Sequence, residues 1–179
     1  MSADNEDDTA NLPSCPSERM MSKVSAIPSG HRTVTPHLII KGARDAIVFY
    51  EKAFGATETT VLDGPDGGVM HAELKIGDSW IFLTEACPAN GSLDPLSIGG
   101  TPVTLHLYVE DVDAAFAKAA EAGATVLMPL MNMFWGDRFA KVSDPFGHHW
   151  SLAQHIEDVS LEQMKERGPA AMAAMSPQS

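Results

Sequence analysis

Two stretches of this chain repeat each other, and that repeat limits the possible folds more than any other feature. Thr35 and His37 recur as Thr104 and His106 at a spacing of 69. Gly55-Ala-Thr57 recurs as Gly123-Ala-Thr125 at 68, and Trp80 is matched to Trp150 at 70. Chance matches would not keep their spacing within one residue across helix, turn and strand, so the chain is a duplicated module. In the first copy, residues 34–40 are β-branched and apolar, which reads as a strand, with Pro36 tolerable near its start or at an edge. Ala46, Ile47, Tyr50 and Phe54 then fall at helical spacing, and Gly55 closes the helix. Strands are predicted over 57–63, 68–76 and 79–86, separated by a Gly/Pro/Asp turn at 63–68 and by Gly77-Asp78. The second copy repeats the order: a strand over 103–109, an Ala-rich helix over 112–122 ended by Gly123, and strands near 125–131, 138–143 and 148–155.

The domain plan follows from these limits. Residues 1–32 are rich in Ser, Asp, Asn, Glu and Pro without periodic apolar positions, and read as a disordered leader. His31 and Met20-Met21 within it carry no signal. The first module spans 33–86, a linker 87–100, the second module 101–158, and a C-terminal helix with its tail 159–179. Ser160 and Gln163 have capping-box spacing, and Gly168-Pro169 is expected to stop that helix at Arg167. The Ala/Met tail beyond reads as a frayed helix or a dimer contact.

Charge and composition exclude several classes. The formal charge of −12, from 12 basic against 24 acidic residues, opposes nucleic-acid binding, which relies on neutralising phosphates. No apolar run is long enough for a membrane helix, and acidic residues 2–8 do not resemble a secretory signal. Cys15 and Cys87 do not make a disulfide framework, and two reduced thiols in a cytoplasmic protein are expected.

The strongest local element is Asp144-Pro-Phe-Gly-His-His-Trp150, where Pro145 presets φ and Gly147 permits a positive φ for a sharp reversal. It is similar to the turn before the last strand in the vicinal-oxygen-chelate superfamily, the glyoxalase and bleomycin-resistance group. The order strand, helix, three strands, done twice over about 33–158, resembles that fold as well. Five stretches look like its PhnB-like branch: Val69-Met-His-Ala-Glu-Leu74, Gly99-Gly-Thr-Pro-Val103, Leu107-Tyr-Val-Glu-Asp111, Trp135-Gly-Asp-Arg138 and His155-Ile-Glu-Asp-Val159. The resemblance implies an α+β fold in which two tandem βαβββ modules form a cupped mixed sheet, as in glyoxalase, bleomycin-resistance and dioxygenase-like proteins.

The resemblance also implies a divalent metal held from the first and last strands of each module. Those positions align with Thr35, Thr104, Ser151 and either Ile81 or Phe82, none a strong ligand, so the expected site carries no metal. A shifted site using His37 and His106 would need a carboxylate, and Glu73, two strands away, is poorly placed. His37 and His106 alternate onto the cup-facing side, as a structural pair or as ligand-binding or proton-transferring groups. His71 and Glu73 form a polar face that is either solvated or part of the cup lining. In the loop over 134–138, Trp135 either walls the cup or packs on the core. Arg138 either binds an anionic ligand group or clamps Asp137 or Asp144. Alternation with Ser151 points His149 into the cup and His148 away. The expected ligand site is therefore His37, His106, Trp135, Arg138 and His149, between the modules. Three functions remain open: a metal-free small-molecule binder, homodimeric as in the bleomycin-resistance proteins; a metal-dependent glyoxalase-like lyase, isomerase or dioxygenase; and an interaction protein without a pocket.

Overall fold

The computed structural model describes residues 24–175, in two units, one ending at Gly30 and one beginning at His31. In the first, residues 24–30 hold no helix or strand, and the Ser25 hydroxyl donates to the Ile27 carbonyl at 2.7 Å. The leader expected over 1–32 lies outside the described residues as far as residue 23.

The second unit runs β1 (His37–Ile40), α1 (Ala43–Phe54), β2 (Thr57–Asp63), β3 (Val69–Ile76) and β4 (Ser79–Glu85). After a short helix α2 (Pro95–Ile98) come β5 (Thr104–Tyr108), α3 (Val112–Glu121), β6 (Thr125–Asn132), β7 (Asp137–Ser143), β8 (His149–His155) and α4 (Leu161–Met175). The fold is α+β, with tandem βαβββ modules that each build a four-stranded mixed sheet. The orders are β1-β4-β3-β2 and β5-β8-β7-β6, with β1/β4 and β5/β8 parallel and the other pairs antiparallel. No helix among the described residues is long and apolar enough to cross a membrane.

Each sheet has one covered and one uncovered face. In β3, Ala72, Leu74 and Ile76 are buried, while His71, Glu73 and Lys75 between them are half-buried, the period-two pattern of a sheet packed on one side. The covering helix α1 buries Ala43, Ala46, Ile47, Phe49, Tyr50 and Ala53 along one stripe and ends at Gly55 in the left-handed region, φ 65°.

The last strand of each module fastens the start of its helix. Glu85 accepts from the backbone N–H of Gly42 at 2.7 Å and of Ala43 at 2.9 Å. Its repeat mate Gln154 accepts from Val112 N–H at 3.3 Å, and Asp111 caps the same helix through Ala114 N–H at 2.9 Å.

The modules are joined through α1, α3 and a buried carboxylate. Asp144 accepts from the Tyr50 hydroxyl at 2.8 Å, Trp150 Nε1 at 2.9 Å, and the N–H groups of Phe146 at 3.0 Å and His148 at 2.9 Å. Burial and this carboxylate hold the Tyr50 phenol well above its ordinary pKa. The expected turn glycine, Gly147, has φ 89°, and a Cβ there would meet Leu96 Cδ2 at 2.9 Å and Pro95 Cβ at 3.0 Å. Thus α2, in the segment read only as a linker, packs directly on the turn.

Three expectations need correction. His37 pairs with Phe82, and His106 with Ser151, so the repeat offset is 69 in first and last strands alike. Trp80 therefore corresponds to His149, and Ile81 to Trp150. A one-residue slip reverses the face, which is why Trp80 is half-buried on the uncovered side and Trp150 is 1% exposed in the core. Second, β1 begins at His37, three residues after the predicted start. Third, α4 does not stop at Arg167 but continues through Pro169. Buried Gly168 lies against Phe134, where a Cβ would be 3.3 Å from the ring, and the alanines beyond favour helix strongly. Together these offset the helical hydrogen bond that proline cannot make. The predicted capping box does form: Ser160 N–H donates to Gln163 Oε1 at 2.8 Å, and Gln163 N–H to Ser160 Oγ at 3.3 Å.

Candidate functional site

The uncovered face of the first sheet carries an imidazole and aromatic cluster. The His37 ring lies 6.1 Å from the rings of both His71 and Phe82, and His71 lies 5.1 Å from Phe82. His71 Nε2 is 3.4 Å from Glu73 Oε1. Burial, then the neighbouring His71, lowers the His37 pKa. His31 stacks on Trp80 at 4.6 Å and 7°, and Arg32 reaches Asp78 at 3.7 Å. These two residues, assigned to the leader, thus pack on the first module. Nothing in their sequence context signals it, because the stack depends on where β4 presents Trp80.

On the second sheet, His106 Nδ1 lies 2.7 Å from Ser151 Oγ, and the His106 ring lies 4.6 Å from Tyr108 and 6.2 Å from Phe139. Phe139 continues to Trp135 at 5.8 Å.

Two small cavities each draw residues from both modules, around the starts of β1 and β5. One, about 290 Å³, is lined by His37, His148 and His149 with Thr101, Val103 and Leu105. The other, about 270 Å³, is lined by His106 and Trp80 with Arg32, Val34, Pro36 and Ser79. The 69-residue offset carries Arg32, Val34, Pro36, Ser79 and Trp80 onto Thr101, Val103, Leu105, His148 and His149, so the cavities are repeat mates. His148, expected to point away, shares its cavity with His149 because it precedes β8, where strand alternation does not apply. Its Nε2 lies 3.3 Å from the Ile39 carbonyl, and burial is the main cause of its lowered pKa.

A larger cleft of about 730 Å³ separates the end of α1 and the β3–β4 turn from β5 and α3, and His106 lines it too. In the mate of this position the longer β7–β8 turn inserts Phe146 against Phe49 and Tyr50 at 6.1 and 6.4 Å. The two-residue turn Gly77-Asp78 brings no such side chain, and Lys118 and Ala119 stand where Phe49 and Tyr50 stand in α1. The cleft is the unfilled copy of a packed contact.

The five residues expected to share one cup are thus distributed. His37 and His149 line one cavity, His106 lines the mate cavity and the cleft, and Trp135 lines another near α4. Arg138 lies on the helix-covered side. Its Nε and Nη2 donate to both Asp113 oxygens at 2.7 and 2.6 Å, and Nη1 to Asn132 at 3.1 Å. It clamps the first turn of α3, and neither Asp137 nor Asp144 is its partner. The register explains this: Asp137 and Phe139 face the uncovered side of β7, so Arg138 between them faces the other.

The fold, the repeat and these faces define a paired βαβββ protein. The chain belongs to the Glyoxalase/Bleomycin resistance protein/Dioxygenase superfamily, whose family model matches residues 31–152. Mb0911c of Mycobacterium bovis is 47% identical over 135 residues, spanning 74% of this chain and 89% of that protein. The X-ray structure of an Arabidopsis thaliana gene product, At5g48480, matches with a TM-score of 0.56 and 28% identity over 68% of this chain and 98% of its own. The PhnB protein from Bacillus cereus shares the fold, with a TM-score of 0.55 at 21% identity over 69% of this chain and 99% of its own.

The divalent metal implied by this superfamily does not fit the donors at its usual positions. The register places Phe82 and Ser151 at the last-strand positions, opposite His37 and His106. Phe82 has no donor atom, and the Ser151 hydroxyl is engaged by His106. Thr35 and Thr104 add only hydroxyls, a poor set for zinc, nickel, manganese or iron. Among the described residues, no group of three or more His, Cys, Asp or Glu side chains is gathered to hold an ion.

Proposed function

We propose that this chain binds a small organic molecule in the cleft between its modules, without the metal chemistry of its superfamily. The observation that carries this reading is the 730 Å³ cleft itself, left open by the short turn at Gly77 and walled by Phe54, His106 and Ala115. Its size and mixed walls are those of a small-molecule site. The case for an anionic ligand through Arg138 falls, because both edges of its guanidinium are committed to Asp113 and Asn132. Glu110 and Asp111 outnumber Lys118 around the cleft and favour a neutral or cationic ligand. His37 and His149 serve as a second, smaller pocket on the same seam. A second copy covering the uncovered sheet faces, where Tyr108 is 66% exposed, would complete the binder as a homodimer in the cytoplasm.

Lys118→Phe tests the cleft by installing the residue found at its repeat mate. A thermal-shift screen of neutral and cationic small molecules should give hits with the wild type that Lys118→Phe loses and Arg138→Lys keeps. Hits that survive Lys118→Phe, or an empty screen with near-unit divalent metal in the purified protein, would overturn the reading. Light scattering on the same sample checks the dimer.

A further inference from the structure

Three of the stretches that mark the PhnB-like branch meet at one buried carboxylate. Asp137, 4% exposed, accepts from Trp135 Nε1 at 2.9 Å and from the Tyr108 hydroxyl at 3.1 Å. Its other oxygen lies 3.0 Å from His155 Nδ1. Gly136 locks the arrangement. Its carbonyl accepts from the N–H groups of Ile156 at 2.9 Å and Glu157 at 3.0 Å, and at φ 99° a Cβ there would stand 2.0 Å from the Glu157 carbonyl. The loop bearing Trp135 and the exit of β8 bearing His155 are therefore held as one piece.

This geometry orients His155. With Asp137 accepting at Nδ1, Nε2 faces outward, where it meets Asp158 Oδ1 at 3.0 Å. Asp158 is fully exposed, so its hold on the imidazole is weak and exchangeable. Nε2 opens on a cavity of about 410 Å³ lined by Trp135, His155, Asp158, Ser160, Gln163 and Met164. It offers one flat aromatic wall, an apolar thioether, and a cationic donor now occupied by a surface carboxylate.

We propose that this cavity binds a carboxylate with a flat apolar body, the ligand's carboxylate replacing Asp158 on His155 Nε2 and its body lying on the Trp135 indole. Asp137 is the positioning residue for both contacts. The site is separate from the cleft between the modules. It works while His155 is an imidazolium, a form favoured first by Asp158 and then by Asp137. The groups facing His155 are Asp137 from β7, Tyr108 from β5 through that carboxylate, and Asp158 from the following loop. From α4 and the residue before it come the uncharged Gln163, Met164 and Ser160, while Glu157 is held by Arg167 at 3.0 Å. Binding should therefore hold below the raised pKa of His155 and fade as pH rises through it.

Benzoate is the probe, titrated into the full chain while the His155 ring is followed by NMR. The expected result, at a pH low enough to keep His155 an imidazolium in every variant, is a saturable shift of that ring, with Asp158→Asn binding several-fold tighter and His155→Gln about tenfold weaker or more. Lys118→Phe, which fills the other cleft, should leave benzoate binding unchanged. Asp137→Asn, shown folded by circular dichroism, should lower both the His155 pKa and the benzoate affinity. No saturable shift at any pH, no gain in Asp158→Asn, or equal weakening by Lys118→Phe would overturn the site. An unmoved His155 pKa in Asp137→Asn would overturn the positioning role.

Discussion

His148 and His155 lie seven residues apart and are shifted in opposite directions. His148 is pulled below the ordinary histidine value, mainly by burial, with Asp144 and Asp94 acting against that. His155 is raised by hydrogen bonds to Asp158 and Asp137. The lowered group contributes stability that is present above its unfolded value of about 6.5 and lost as pH falls through the folded value. The raised group contributes stability that is full below about 6.5 and lost as pH rises through its higher folded value. We expect the melting temperature to drop between neutral pH and pH 5, and His148→Gln to flatten that limb. An unchanged slope in the variant would show that His148 is not the responsible group. Alternation along β1 and β5 gave the faces of His37 and His106, but not their separation into different cavities. Residue-level reading from sequence failed at Arg138, whose face depends on the β7 register, and at His31, whose partner is a tertiary neighbour.

Elements were largely legible because their signals are local. Apolar spacing and Gly55 delimit α1, and the short Gly77-Asp78 turn separates β3 from β4. The caps from the last strands were not legible, since Glu85 and Gln154 lie 42 residues from the N–H groups of Ala43 and Val112 they serve. They give a graded prediction. Glu85→Ala leaves two N–H groups of the first helix without their acceptor and should cost about 1–2 kcal/mol. Gln154→Ala removes one longer bond from a helix that Asp111 still caps, and should cost about 0.5–1 kcal/mol. Urea unfolding of both variants measures this, and equal losses would contradict the capping roles. The proline in α4 teaches the converse. A strong local stop signal was overridden by Gly168 packing on Phe134.

At the scale of the molecule, duplication places the modules and small departures from it make the cavities. The Asp144 cluster joins α1 of the first module to the last turn of the second, while the opposite corner stays open for want of a side chain like Phe146. The fold's contacts also begin earlier than composition suggests, at His31. Removing residues 1–30 should leave the melting temperature within a few degrees. Removing residues 1–34 should lower it by about 2–4 °C more, the shift for roughly 1 kcal/mol in a chain of this size. Equal melting of the two truncations would show that the His31–Trp80 stack contributes nothing.

The repeat, the βαβββ order and the family were written in periodicity and in glycine, proline and motif positions, because each needs only neighbouring residues to be expressed. The grouping of side chains into sites was decided by the tertiary structure. Strand register chose between His149 and Trp150 as the mate of Trp80 and turned Arg138 toward α3. Long-range hydrogen bonding brought Tyr108 and His155 to Asp137 beside its near neighbour Trp135, joining three stretches whose spacing along the chain carries no trace of their meeting. Register and packing are properties of pairs of distant segments, and a single strand's pattern constrains which face is apolar but not which partner that face will meet.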